Sequence, residues 1–330
     1  MKYLSIFFAK PTCRTPETEA FYRKDQKKRR KMTKSFHDLF PEHDEKAPAR
    51  TALLLSGTGS NAAAILEYSR NNSCAFDVKL LVTDAPETGR ARETAQKYQL
   101  PLAEVDIYKF YALNGEDNIR LDTPRKRMLR DQWSAKLYEE IMAYNIELVL
   151  FAGFLPLTNI TGRIPCLNVH PGDLTVTAPD GSRPYAGLHY KPVEDAICDG
   201  RTYLRSSVIV AQPYSGNGKD DMDSGPVIGV SVEIPVDIAP ETPESLAAVR
   251  KKRCGKPQDI LRNIAAAHIE KMKINGDHVI FPRAADDFAR GRFVCGENNE
   301  LFFRNGTELI PVVSVEYTQN GRKILERNTL

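Results

Sequence analysis

The feature that most constrains this chain is an alternation that begins at Thr51. Short apolar runs, bounded by glycine or turn residues, are each followed by a stretch with helical spacing. Residues 51–56 (TALLLS) read as a buried strand and 60–70 as a helix, with Ala63, Ile65 and Leu66 apolar. Residues 76–83 and 102–105 read as further strands, with a helix at 90–98 between them. A long helix is predicted over 123–143, where Met128, Leu129, Trp133, Leu137 and Ile141 recur at close to helical spacing, and a fourth strand over 147–151. Strand and helix repeated in this way bury both faces of a sheet between helices, so the expected fold is α/β: a doubly wound, mostly parallel sheet. Beyond residue 200 the spacing predicts strands at 206–211 and 227–234 around a glycine-rich loop, and helix over 243–273 broken at 255–257. Asn305-Gly306 between apolar runs predicts a C-terminal β-hairpin extension.

Composition narrows the class further. The 330 residues are 42% hydrophobic and 27% charged, which supplies a packed core and excludes a disordered chain. No apolar run approaches the ~20 residues of a membrane span. The apolar stretch at 3–9 stops at Lys10-Pro11 without a small-residue cleavage site, so it does not read as a signal peptide. The six cysteines, at 13, 74, 166, 198, 254 and 295, form no Cys-x-x-Cys pair, and the expectation is reduced thiols in a cytoplasmic protein. A net charge of +3 does not call for a polyanionic partner. The charge is uneven, however: residues 1–50 carry 13 Lys/Arg against 7 Asp/Glu, densest at 23–31. Without interleaved aromatic residues this basic segment reads as a solvated face ahead of the nucleic-acid arm that it could also be. Pro41 and Pro48 mark a linker from it into the main domain.

Three segments carry chemistry. Ser56-Gly57-Thr58-Gly59-Ser60-Asn61 follows a strand and opens a helix, where glycines allow close backbone approach and free N–H groups favour an anion such as phosphate. It lacks the third glycine of a dinucleotide fingerprint and the lysine of a P-loop, and read alone it is a strand–helix turn with Ser60 as N-cap. Leu167-Asn168-Val169-His170-Pro171 ends an apolar strand, and a period of two sends Asn168 and His170 to one face. That pair offers an amide donor and an imidazole able to move protons. Met222-Asp223-Ser224-Gly225-Pro226 sets an acid just before a buried strand, where it can orient His170 if the two meet in space.

In their order along the chain, SGTGSN, AGF (152–154), NVHP, YAGLH (185–189) and MDSGPVI resemble the folate-dependent formyltransferases, most closely the phosphoribosylglycinamide formyltransferase branch, over about residues 51–310. The resemblance implies transfer of a formyl group from 10-formyltetrahydrofolate, a co-substrate, to the primary amine of a phosphorylated small molecule, most simply glycinamide ribonucleotide of purine biosynthesis, with no metal. It implies Asn168, His170 and Asp223 as catalytic residues, and Thr58, Gly59, Ser60, Asn61 and Arg130 as phosphate ligands. Pro171, Gly187 and His189 would lie beside the substrate. Phe151, Leu155, Pro156, Leu157, Asp220 and Met222 would form the folate pocket. It divides the chain into a basic extension at 1–50, a formyltransferase domain at 51–310 and a tail at 311–330.

Four departures bear on the acceptor. The loop at 172–183 is longer than the family's, Ile209 stands where a second histidine is usual, residues 212–219 read as an insertion, and the acid that meets the substrate amine falls near His268 or Glu270. The alternatives are a formyltetrahydrofolate hydrolase, a formyltransferase for another amine, and a non-catalytic nucleotide- or RNA-binding scaffold of the same fold. Nucleic-acid and membrane partners are not expected.

Overall fold

The computed structural model describes residues 36–214, 222–254 and 258–327. The basic run at 23–31 and Asp220 lie outside the described residues, as does the side chain of Met222.

The alternation builds the first half of the molecule. A short strand β1 (His37–Asp38) is followed by β2 (Ala49–Leu54), α1 (Ser60–Asn71), β3 (Phe76–Thr83), α2 (Ala91–Tyr98) and β4 (Leu102–Glu104). Then come α3 (Ile107–Leu113), α4 (Pro124–Met142), β5 (Leu148–Phe151) and β6 (Cys166–His170). Helix α4 starts where local chemistry directs: the Thr123 hydroxyl accepts from the Lys126 N–H and Pro124 occupies the first turn. The second half holds α5 (Lys191–Cys198), β7 (Tyr203–Leu204), β8 (Ser207–Val210), β9 (Val227–Ser231) and β10 (Ile234–Pro235). It continues through α6 (Pro243–Lys251), α7 (Ile260–Met272), a π-helical turn (Lys273–Asp277) and α8 (His278–Ala289) to β11 (Phe293–Cys295), β12 (Leu301–Asn305), β13 (Glu308–Thr318) and β14 (Gly321–Glu326).

One sheet carries most of these strands, in the order β1-β11-β12-β13-β9-β8-β6-β5-β2-β3-β4, with β14 also on β13. From β13 to β4 every strand runs the same way except β8, which pairs antiparallel with both β6 and β9. Residue alternation feeds both faces. Leu53 of β2 and Leu148 and Leu150 of β5 join the core beneath α1, α2 and α8. Ala52 and Leu54, with Val149 and Phe151, join the core beneath α3 and α4, around the fully buried Trp133. A third, smaller core sits among α5, α6 and α7.

The expected domain edges at 50 and 310 both fall inside this sheet. Strand β1 pairs with β11, and Phe40 is buried with its ring stacked 5.2 Å from that of Phe288. Strand β13 runs through 311–318 with Val312, Val315 and Tyr317 buried, so these residues belong to the core and not to a tail. The Asn305-Gly306 hairpin is the β12–β13 connection, and β13–β14 adds a second. Among the described residues no helix is long and apolar enough to cross a membrane.

Candidate active site

Strands β2, β5 and β6 end side by side, and a cavity of about 490 Å³ opens beyond their carboxyl ends. Crevices at that edge of an open α/β sheet are where such folds bind ligands. Residues 57–61 form one wall, 152–155 and Leu157 a second, and 187–190 a third; Asn168, His170 and Asp223 project into the same space.

The glycine loop is set by its backbone. Gly59 sits at φ 72°, in the left-handed region, and it caps α1 without any side-chain hydrogen bond. Ser60 is therefore the first helical residue and not the expected N-cap. The loop is tied down from behind: the Ser56 hydroxyl donates to Asp84 at 2.5 Å and accepts from the Leu155 N–H at 3.0 Å, joining the glycine loop to the segment after β5. Burial pushes the Asp84 carboxyl up to about 6, against the lowering effect of the Ser56 hydrogen bond.

Three residues far apart in the chain converge at the end of β6. His170 is 3% exposed, and its Nε2 lies 2.8 Å from the Tyr185 carbonyl oxygen. Its Nδ1 lies 3.4 Å from Asp223 Oδ2, while Asn168 Nδ2 donates to Asp223 Oδ1 at 3.4 Å. Each ring nitrogen thus faces an oxygen able to accept a hydrogen bond. Period two in β6 puts Asn168 and His170 on one face, as the sequence predicts, and the Met222–Ser224 turn delivers Asp223 to them. Gly225 fixes that turn: a Cβ there would lie 1.8 Å from the Val210 carbonyl oxygen, so β8 and the turn meet backbone to backbone.

Other expected site residues divide. Thr58, Gly59, Ser60, Asn61, Pro171, Gly187, His189, Leu155 and Leu157 line the cavity. Arg130 does not: it is 3% exposed, and its guanidinium donates to the Leu157 and Ile119 carbonyl oxygens at 2.9 and 2.7 Å, bracing loops beneath the cavity. Phe151 is also displaced, because alternation in β5 turns it into the α4 core, where it stacks on Phe154 at 5.5 Å; Phe154 is the ring that reaches the cavity. Pro156 is not part of the lining. Nor is His268, which is buried, accepts from the Asp237 N–H at 3.0 Å and holds the Ile264 carbonyl at 2.9 Å. Glu270 does line the cavity, paired with Lys273 at 2.6 Å.

The sequence reading misses Asp277. It lies at the end of the π-helical turn, 6% exposed, and lines the cavity. Its Oδ2 accepts from Asn61 Nδ2 at 3.4 Å, and its Oδ1 has no partner, like the neighbouring Asn61 Oδ1. Burial pushes the Asp277 carboxyl above its ordinary value, and the nearby Ser206 hydroxyl and then Asn61 pull it the other way. Its sequence signal, an acid opening the apolar run Val279-Ile280-Phe281, is the same kind that marks Asp223. Among the described residues no group of three or more His, Cys, Asp or Glu is arranged to hold a metal ion.

No protein-family model matches the sequence, and no curated protein matches it. Solved structures do. Phosphoribosylglycinamide formyltransferase from Coxiella burnetii aligns with a TM-score of 0.52 and 19% identity, over 82% of this chain and 99% of that one. The chain has the formyltransferase fold. Two further structures align less well: glycinamide ribonucleotide transformylase 1 from Symbiobacterium toebii (TM-score 0.49, 21% identity, 84% and 95% covered) and formyltetrahydrofolate deformylase from Burkholderia mallei (0.44, 19%, 76% and 68%).

Proposed function

We propose that this chain transfers a formyl group from 10-formyltetrahydrofolate to the primary amine of a phosphorylated small molecule, glycinamide ribonucleotide being the acceptor that fits best. The observation that carries this reading is the meeting of Asn168, His170 and Asp223 at one cavity wall. The amine nitrogen attacks the formyl carbon, and the carbonyl electron pair moves onto oxygen. The Asn168 amide and the His170 Nδ1 proton, held only loosely by Asp223 at 3.4 Å, stabilise that oxyanion. Asp223 accepts the amine proton and returns it to the folate nitrogen as the C–N bond breaks. The backbone of Thr58–Asn61 at the start of α1 and the Lys273 ammonium serve the phosphate, in place of the turned-away Arg130. The unpartnered Asp277 oxygen accepts from the substrate's amine or hydroxyl groups. Phe154, Leu155 and Leu157 form the apolar bed for the folate ring.

The test is an incubation of purified protein, 10-formyltetrahydrofolate and a panel of amines that includes glycinamide ribonucleotide, read by a mass gain of one formyl group. The expected result is formylation of a phosphorylated amine, with Asp223→Asn lowering kcat by about 10²–10⁴-fold while folate binding changes little. Formate released at the same rate with and without any amine would instead establish the hydrolase, a reading that the absence of Arg130 from the cavity favours. An unaltered kcat in Asp223→Asn would remove the proton-transfer role.

A further inference from the structure

A second cavity, of about 580 Å³, lies against the same turn that carries Asp223. Asp223 lines the first cavity, and its neighbours Ser224, Gly225, Pro226 and Val227 line the second, so a single turn is the partition between them. The volume is within the range of small-molecule sites. The polar side chains that reach it include His37, Thr175, Thr177, Arg183, Gln212 and Arg327, and among the described residues no Asp or Glu lines it. Among those residues neither Arg183 nor Arg327 forms an ion pair; Arg183 Nη1 donates instead to the Asp223 backbone carbonyl. Burial pushes the Arg183 guanidinium below its ordinary value, with Asp223 pulling against it. A partly buried guanidinium held by a backbone carbonyl keeps donors to spare, and its planar fork matches carboxylate and phosphate oxygens.

We propose that this cavity is a second ligand site, which binds a small phosphate- or carboxylate-bearing polyanion between Arg183 and Arg327, with Thr175, Thr177 and Gln212 as neutral donors. The claim concerns binding alone and stands apart from the formyl chemistry of the first cavity.

The test separates the two sites. Ser60→Asp places a negative charge in the glycine loop and closes the first cavity to anions. Pyrophosphate and, separately, citrate are titrated calorimetrically into the full-length Ser60→Asp protein. The expected result is saturable 1:1 binding of at least one of them, weakened tenfold or more when Arg327→Glu is added. Tighter binding of pyrophosphate assigns the site to phosphates, and tighter binding of citrate to carboxylates. Thr177→Asp, at an exposed wall residue, gives the same reading should Arg327→Glu fail to fold. Absence of saturable binding in the Ser60→Asp protein, or binding unmoved by both charge-reversing changes, overturns the proposal. Formyl transfer by the wild-type protein is measured separately, so its outcome does not confuse this one.

Discussion

His170 shows how much a single ring is asked to satisfy. One nitrogen lies against the Tyr185 carbonyl at 2.8 Å, and the other faces Asp223 at 3.4 Å. Behind the glycine loop, Asp84 shows the cost of a different arrangement. Its carboxyl is pushed from 3.8 to about 6 by burial. The folded state therefore holds that proton more tightly than the unfolded chain does. Asp84 costs no stability below about pH 4, costs progressively more as pH rises through 6, and costs its full amount above, about 3 kcal/mol for a shift of this size. Asp84→Asn keeps an acceptor for the Ser56 hydroxyl and removes the charge. The variant is expected to match the wild type near pH 4 and to exceed it by up to about 3 kcal/mol at pH 7.5, as read by urea denaturation at both values. A difference that does not change with pH would count against burial as the cause. Arg130 teaches the opposite lesson about reading single residues. Its place in the chain was legible but its direction was misread, although helical spacing puts it in the buried stripe of α4 with Leu129, Trp133, Leu137 and Ile141.

At the scale of elements, the strand–helix alternation was legible because β2, β3 and β5 carry enough apolar residues for two faces, and α4 announces its own start at Thr123-Pro124. The π-helical turn was not. Lys273-Ile274-Asn275-Gly276-Asp277 contains Asn-Gly-Asp, which is turn chemistry, and Pro282 further on reads as a helix breaker. The chain nevertheless stays helical from α7 into α8, because Gly276 packs against Ser206 and Ser231 beside β8 and β9, where a Cβ would come within 2.6 Å of the Ser206 hydroxyl. A π turn inserts one extra residue into the helix, and here it aims Asp277 at the cavity. The meeting of Asp223 with His170 depends on two segments, and the pairing of β8 with both β6 and β9 brings them together. That pairing gives Gly225 a specific role. With the Val210 carbonyl 1.8 Å from any added Cβ, Gly225→Ala must shift the turn that carries Asp223, since the obstructing atom is backbone within a sheet. The expected outcome is a loss of about 1–3 kcal/mol in urea denaturation together with a kcat reduced tenfold or more. Full activity in a stably folded Gly225→Ala protein would show that the turn tolerates the shift.

For the whole molecule, the question is how the C-terminal ribbon of β12, β13 and β14 stays on the sheet, since β13 meets β9 through only two register pairs, Glu316 with Val230 and Tyr317 with Ser231. Besides the buried Val312, Val315 and Tyr317, Asp287 adds a polar tie. It projects from α8, 2% exposed, and accepts from the Tyr317 hydroxyl at 2.8 Å and from Arg322 at 2.7 and 2.8 Å, with Arg292 3.3 Å away. One buried carboxylate thus ties a core helix to two strands of the ribbon and to the residue that leads into β11. Burial nevertheless pushes its pKa up despite two arginines, so the charge itself is not what the fold gains from. The guanidiniums of Arg322 and Arg292 are each about a third exposed and can turn to water, whereas the Tyr317 hydroxyl cannot. The two substitutions should therefore differ. Asp287→Ala leaves a buried hydroxyl without an acceptor and is expected to cost about 2 kcal/mol, while Asp287→Asn keeps the acceptor and costs less than about 1 kcal/mol. Urea denaturation of the two variants decides between acceptor and charge. Equal losses would mean that the ribbon is held by the ion pair, and the Tyr317 hydrogen bond would then be incidental to its attachment.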